Sequence, residues 1–293
     1  AAKFGLSMRR WDFTAAYLQG NLEEGEVIYC SMPPGYDVKG KDGQSRICKI
    51  VKPCYGMSQA GRRWQRALFP WLKDWRDCSL KQTYGDSCVF YCCQETDTPQ
   101  GKRSEWLIVG AYVDDLLVLH SHDDEFSLYH RFTTDLQSRW AVEDEGDVSD
   151  LLGIDISVEN SHVCLRQENY ITKLASEFFP DGAPPSLGKT STPCLPDLPQ
   201  LVLEAVDSKE DIDLGLQKQY QSLVGALLYC ATNTRPDVAY AVGMLCRAMS
   251  RPSPELLLAA QRVLAYLIRS KHVGLRYAAS ERPLFGMTDS DWS

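Results

Sequence analysis

Two adjacent aspartates, Asp114 and Asp115, interrupt the stretch GAYVDDLLVL at residues 110–119, between the apolar runs Trp106–Val109 and Leu116–Leu119. An unpaired carboxylate in such surroundings is costly, or it is pushed toward its neutral form. Aspartate favours turns, so the doublet could simply make a tight hairpin between strands at 106–112 and 116–120, with 113–115 at the bend. One aspartate is enough for a turn. Two, held by bulky strands, point to a cation. Magnesium takes hard oxygen ligands, typically two or three carboxylates together with substrate phosphate. The third carboxylate must come from another element, and Asp12 is the candidate. It follows Trp11 at a strand-to-helix transition and precedes small residues and Tyr17.

The elements that must position these groups follow from pattern. Residues 10–13 read as a short strand running into a helix over 14–18 that stops at Gly20. Residues 27–32 and 46–51 read as strands, with a turn at 39–43. Residues 59–75 have helical spacing, with Trp64, Ala67, Leu68, Trp71 and Leu72 on one side and a kink expected at Pro70. Beyond 160 the chain reads as mainly helical, over 170–178, 220–233, after Pro236, and from Ser253 to Leu267. Residues 180–199 read as a linker, and 274–279 as a strand entering something new.

Hydrophobic content of 44% and charged content of 24% are ordinary for a globular protein of 293 residues. No apolar run reaches membrane-span length, and no secretory signal opens the chain. The first residue is not methionine, and both ends read as cut from something longer. The eleven cysteines are scattered without a C-x-x-C pair, and His120 and His122 lack a second ligand pair. Reduced structural cysteines in an intracellular protein are expected, not a zinc site. The net charge of −8 argues against a nucleic-acid partner, but its distribution does not. From Arg46 to Arg76 there are eight basic residues, Lys52, Arg62 and Arg63 among them, against one acid, with Tyr55, Trp64, Trp71 and Trp75 interleaved. Such a patch can track a phosphate backbone, or it can be a solvated helix face with its tryptophans turned to the core.

Several segments carry a resemblance. Asp12-Phe-Thr-Ala-Ala-Tyr17 resembles the first catalytic motif of reverse transcriptases, and Tyr112-Val-Asp-Asp115 resembles their Y-x-D-D box. Cys54-Tyr-Gly-Met-Ser-Gln-Ala-Gly-Arg-Arg-Trp64 is similar to the Y-G-L-K-Q-A-P-R-x-W segment of copia-type retrotransposon polymerases. Leu151–Ile156, Tyr220–Tyr229 and Thr234–Tyr240 are similar to three further segments of that family, in order. The resemblance implies an α+β, right-hand polymerase with an antiparallel palm sheet, partial fingers and a helical thumb and connection. The palm with partial fingers would occupy 1–160, the thumb-like region 161–280, and a truncated ribonuclease H-like start, with Asp289, 281–293.

The implied activity is RNA-directed DNA synthesis with Mg2+ (or Mn2+) on an RNA or DNA template-primer, from deoxynucleoside triphosphates. Asp12 and Asp114 would be the principal metal ligands, with Asp115 alongside in a weaker role. Tyr17 would lie under the incoming sugar. Gln59, Gly56 and Tyr112 would line the nucleotide site, and Arg62, Arg63 and Lys52 would meet nucleic-acid phosphates. The implied location is the cytoplasm, in a virus-like particle, or the nucleus. No membrane contact is implied, and no oligomeric state follows. Gly61 and Ser58 depart from the family's proline and lysine, and only eleven residues stand where a fingers segment precedes the first aspartate. The same residues leave two other readings open, a nucleic-acid-binding remnant without activity and a hydrolase acting on phosphate esters.

Overall fold

The computed structural model describes residues 1–280 except 37, 160, 185, 186, 188, 189 and 210. The segment with Asp289, read as a ribonuclease H-like start, lies outside the described residues. Two compact units divide between Val148 and Ser149. The change of composition near 160 lies further on, because the first strands of the second unit precede it.

The first unit contains β1 (Ser7–Phe13), α1 (Ala16–Gln19), β2 (Ile28–Ser31), β3 (Ile47–Ile50), α2 (Ala60–Lys73), β4 (Lys81–Gln82), β5 (Val89–Thr98), β6 (Gly101–Tyr112), β7 (Asp115–His120), α3 (Leu128–Arg139) and β8 (Val142–Asp147). Six strands form one antiparallel sheet in the order β4-β5-β6-β7-β1-β8, and β2 and β3 form a separate hairpin. Side chains alternate across this sheet as the pleat requires. Leu107 and Val109 of β6, Leu116 and Val118 of β7, and Trp11 and Phe13 of β1 are buried. They pack in one core with Trp64, Leu68 and Leu72 of α2 and Leu128, Phe132 and Leu136 of α3. Each such side chain contributes about 1.5–3 kcal/mol by leaving water.

In α2 the buried residues recur four apart, and the helix runs through Pro70 to Lys73. α3 starts where the Ser127 side chain accepts from the His130 N–H at 3.0 Å, relieving one unpaired donor of the first turn.

The second unit contains β9 (Asp150–Leu151), β10 (Ile154–Glu159), β11 (His162–Arg166), α4 (Glu168–Phe178), α5 (Leu198–Asp207), α6 (Leu214–Asn233), α7 (Ala239–Cys246), α8 (Pro254–Arg269) and β12 (Leu275–Tyr277). The strand expected to enter something new does not. β12 pairs back onto β11 and extends the antiparallel order β12-β11-β10-β9. The helices share a core built around Tyr220, Leu223, Leu227, Val242, Leu256 and Leu264. The linker reading of 180–199 ends too late, because α5 already begins at Leu198 with Pro199 in its first turn, a place where proline removes no helical bond. The chain is therefore α+β with antiparallel sheets. Among the described residues no helix is long and apolar enough to cross a membrane.

Candidate active site

The exposed face of the six-stranded sheet carries the carboxylates. Asp12 of β1 stands directly opposite Asp115 of β7, so their side chains share a face, while Trp11 and Phe13 point into the core. The expected three-residue bend is shorter in fact. Tyr112 and Asp115 pair as the last rung of the β6–β7 hairpin, which leaves Val113-Asp114 as a two-residue connection and puts Asp115 in the strand. Such a connection needs positive φ, and here Val113 supplies it at 52°. A β-branched residue in that region costs on the order of 1–3 kcal/mol. Neighbours fix the turn. The Trp64 indole donates to the Val113 carbonyl at 2.7 Å, and the Phe13 N–H donates to the Asp114 carbonyl, also at 2.7 Å.

The three carboxylates differ in their partners. Asp114 accepts from the Tyr55 hydroxyl through Oδ2 at 2.7 Å, and its Oδ1 is buried without a hydrogen-bond partner. Asp115 accepts from Arg10 through Oδ1, at 3.1 Å from Nε and 2.9 Å from Nη2. Asp12 has its carboxyl pushed above the ordinary carboxylate range, first by burial and then by the charges of Glu145, Asp115 and Asp114, with Arg10 opposing them. Burial and the bond to Asp114 push the Tyr55 hydroxyl up to about 12, so it stays a donor. The Tyr55 ring lies on Tyr17, with centroids 4.5 Å apart. Arg10, Tyr55 and Glu145 were missed by the sequence reading. Arg10 was findable, because residues two apart on a strand share a face.

Among the described residues no group of three or more His, Cys, Asp or Glu side chains stands arranged as a metal cage. Arg10 and Tyr55 occupy oxygens such a cage would use. The donor chemistry nonetheless fits a hard divalent cation. All the candidate ligands are carboxylate oxygens, one of them is buried and unpaired, and the raised Asp12 reflects burial together with the charges of its acidic neighbours.

The remaining expected site residues divide. Tyr17 is half-buried, near Gly61, and borders a small cavity of about 40 Å3 with Trp64 and Val113. Tyr112 is exposed beside the turn, and Gly56 holds φ at 92° with open space around it. Gln59 precedes α2 and turns its amide to Glu26 at 3.2 Å. Arg63 is ion-paired with Glu23 and Glu26, and Lys52 donates to the Gly20 carbonyl at 2.9 Å and to Asn21 at 2.7 Å. Arg62 is exposed and lines an open groove on α2 with Arg66 and Lys73. The structure thus gathers Asp12, Asp114, Asp115, Tyr17 and Tyr112, and it holds Gln59, Arg63 and Lys52 in contacts of their own.

Asp12 thus stands opposite the second aspartate of the doublet, on an antiparallel sheet backed by helices. The chain belongs to the family described as reverse transcriptase (RNA-dependent DNA polymerase), whose profile matches residues 1–185. Within it the chain is of the copia type. It is 30% identical over 293 residues to the retrovirus-related Pol polyprotein from transposon TNT 1-94 of Nicotiana tabacum, covering 99% of this chain and 20% of that one. It is 30% identical over 287 residues to the Pol polyprotein from transposon RE1 of Arabidopsis thaliana, covering 98% and 18%. A putative transposon Ty5-1 protein of Saccharomyces cerevisiae is 28% identical over 272 residues, covering 92% and 79%. The chain spans about a fifth of the length of the Pol polyproteins it matches. No solved structure matches it.

Proposed function

We propose that the chain is the polymerase fragment of a copia-type element, making DNA on an RNA or DNA template-primer from deoxynucleoside triphosphates. In this reading the first unit is the palm of a right hand with partial fingers, and the helical second unit is the thumb and connection. The observation that carries it is the placement of Asp12 directly opposite Asp115, with the unpaired Oδ1 of Asp114 beside them.

Asp12 and Asp114 would hold Mg2+ or Mn2+, with Asp115 alongside. Bound there, the metal supplies activation of the primer 3′-hydroxyl and neutralises charge on the transferring phosphoryl group. The rest falls to the chain's own residues. The Val113-Asp114 turn, clamped by Trp64 and Phe13, keeps the Asp114 carboxylate from drifting. The Tyr17 ring forms a floor against the incoming sugar, and a ring pressed against C2′ leaves no room for a hydroxyl. Gly56 lets the backbone of its loop come close to a ligand, with Gln59 and Tyr112 at the margins of the nucleotide site. Arg62, together with Lys52 and Arg63 if released from their partners, would meet template phosphates.

A second reading has its own support. Arg10 and Tyr55 already bond to Asp115 and Asp114, so two of the three carboxylates have partners without metal, as in a remnant that binds nucleic acid only. Primer extension on an RNA template separates the two. Incorporation that requires Mg2+ or Mn2+ and vanishes in Asp114→Asn supports the polymerase. Template-primer binding with no extension by either protein leaves the remnant.

A further inference from the structure

Arg10 lies two residues before Asp12 on β1 and on the same face. Its guanidinium reaches diagonally to Asp115 and, through Nε, to Glu145 Oε2 at 2.9 Å. Glu145 owes its position to an irregularity. Along β1 and β8, Arg10 pairs with Gly146 and Trp11 with Asp144, so Glu145 is an extra residue with no partner across the ladder. Gly146 follows it at φ 91°, a conformation glycine adopts freely. Such a bulge re-aims a side chain, and here the redirected carboxylate meets the guanidinium. Arg10 is therefore anchored at both ends, with 26% of its side chain exposed and 20% of that of Asp115.

We propose that Arg10 is a positioning residue of this site. By bridging Asp115 and the bulge-borne Glu145 it keeps Asp115 out of the metal-binding set, and its charge limits how tightly the remaining carboxylates hold a divalent cation. The inference rests on the reading that Asp12 and Asp114 take the metal. It assigns the second aspartate of the doublet a different task from the first. Asp114 keeps an oxygen open for a ligand, while Oδ1 of Asp115 is taken by two N–H donors. A cation arriving at Asp12 meets a local charge already reduced by one unit.

The test reads Mn2+ binding directly, by the electron paramagnetic resonance signal of free Mn2+, on the whole chain. Arg10→Met should bind Mn2+ about tenfold more tightly, because a unit charge a few ångströms from the ion is removed and Asp115 is released. Arg10→Lys should stay close to wild type. In an Asp115→Asn background the gain from Arg10→Met should shrink, since the ligand it frees is absent. Arg10→Gln replaces the methionine variant if melting curves show that the latter unfolds. Unchanged or weaker Mn2+ binding in the folded variant overturns the proposal. An equal gain in the Asp115→Asn background also overturns it, since Arg10 would then act by charge alone. In both cases Mn2+ binding that Asp114→Asn abolishes leaves the metal reading standing. A wild-type chain that binds no Mn2+ overturns both together.

Discussion

Each unit gathers charged groups out of water, and the two treat them in opposite ways. In the second unit Arg235 is fully buried. Its guanidinium donates to both oxygens of Asp237 at 3.0 and 2.7 Å, to the Ser270 carbonyl at 3.0 Å and to the Ser270 hydroxyl at 2.7 Å. Tyr266 donates to the same carboxylate at 2.9 Å. Burial would push the Asp237 carboxyl up, but the bonds and charge of Arg235 outweigh it and hold the group below its ordinary range. In the first unit Asp114 keeps a buried oxygen unpaired, Asp12 has its carboxyl pushed up, and the Val113-Asp114 turn carries backbone strain. A closed network holds a fold. A network left open beside strained backbone is where a ligand completes the bonding. The Thr-Arg-Pro-Asp segment at 234–237 resembles the family as clearly as the doublet does, and it is architecture.

The largest effect that would sharpen this contrast is chemical. Asp12→Asn or Asp114→Asn should lower incorporation in primer extension by about a hundredfold or more, with a melting temperature unchanged or raised because like charges are relieved. A drop in stability as large as the drop in activity would make the open cluster structural after all. Arg235→Met should do the reverse. It removes the fully buried partner, while Asp237, 35% exposed, keeps its bond from Tyr266, and it should cost about 1–3 kcal/mol in urea unfolding.

His120 tests whether any unpaired atom will serve. Its Nε2 is buried without a partner, but it sits at the end of β7 away from Asp115, with its ring stacked on Tyr129. Burial lowers its pKa, with the His122 carbonyl opposing that shift. The unfolded chain therefore takes up this proton first. The contribution is full above the ordinary value near 6.5, and it is lost as pH falls from there through the lower folded value. Melting curves from pH 7.5 to 5 should fall more steeply for wild type than for His120→Phe. Parallel curves would refute the assignment. The smallest effect belongs to the turn. Val113→Gly removes the positive-φ strain and should stabilise the chain by at most about 1 kcal/mol, offset by glycine's greater freedom when unfolded. A destabilised Val113→Gly protein would show that the valine side chain earns its place by packing.

The sequence declared the carboxylates and the elements with clean periodicity. The α6 and α8 helices and the β6–β7 hairpin were legible because their apolar spacing and flanking residues agree, as with Ser253, whose hydroxyl accepts from the Leu256 N–H. β8 was not legible. Val142–Asp147 reads VEDEGD, residues that disfavour strands, and it is held by ion pairs from Arg9 and Arg10 that only the folded sheet supplies. β5 hid behind mixed polarity, and α3 behind a turn-like start at Asp123–Ser127. Tyr55 could not be read as a neighbour of Asp114, because 59 residues separate them and the contact depends on how the loop before α2 folds back.

The bulge at Glu145 also has a consequence for how this segment can vary in length. It is the point of the β1–β8 ladder where the chain is one residue longer than pairing requires. Loss of that single codon leaves every rung from Arg9 to Phe13 with its present partner, whereas most one-residue deletions in a half-buried strand turn a face inside out. Deletion is thus compatible with the pairing at the position that lends Arg10 its second anchor, so a change in reading length, with no substitution elsewhere, is enough to disconnect it.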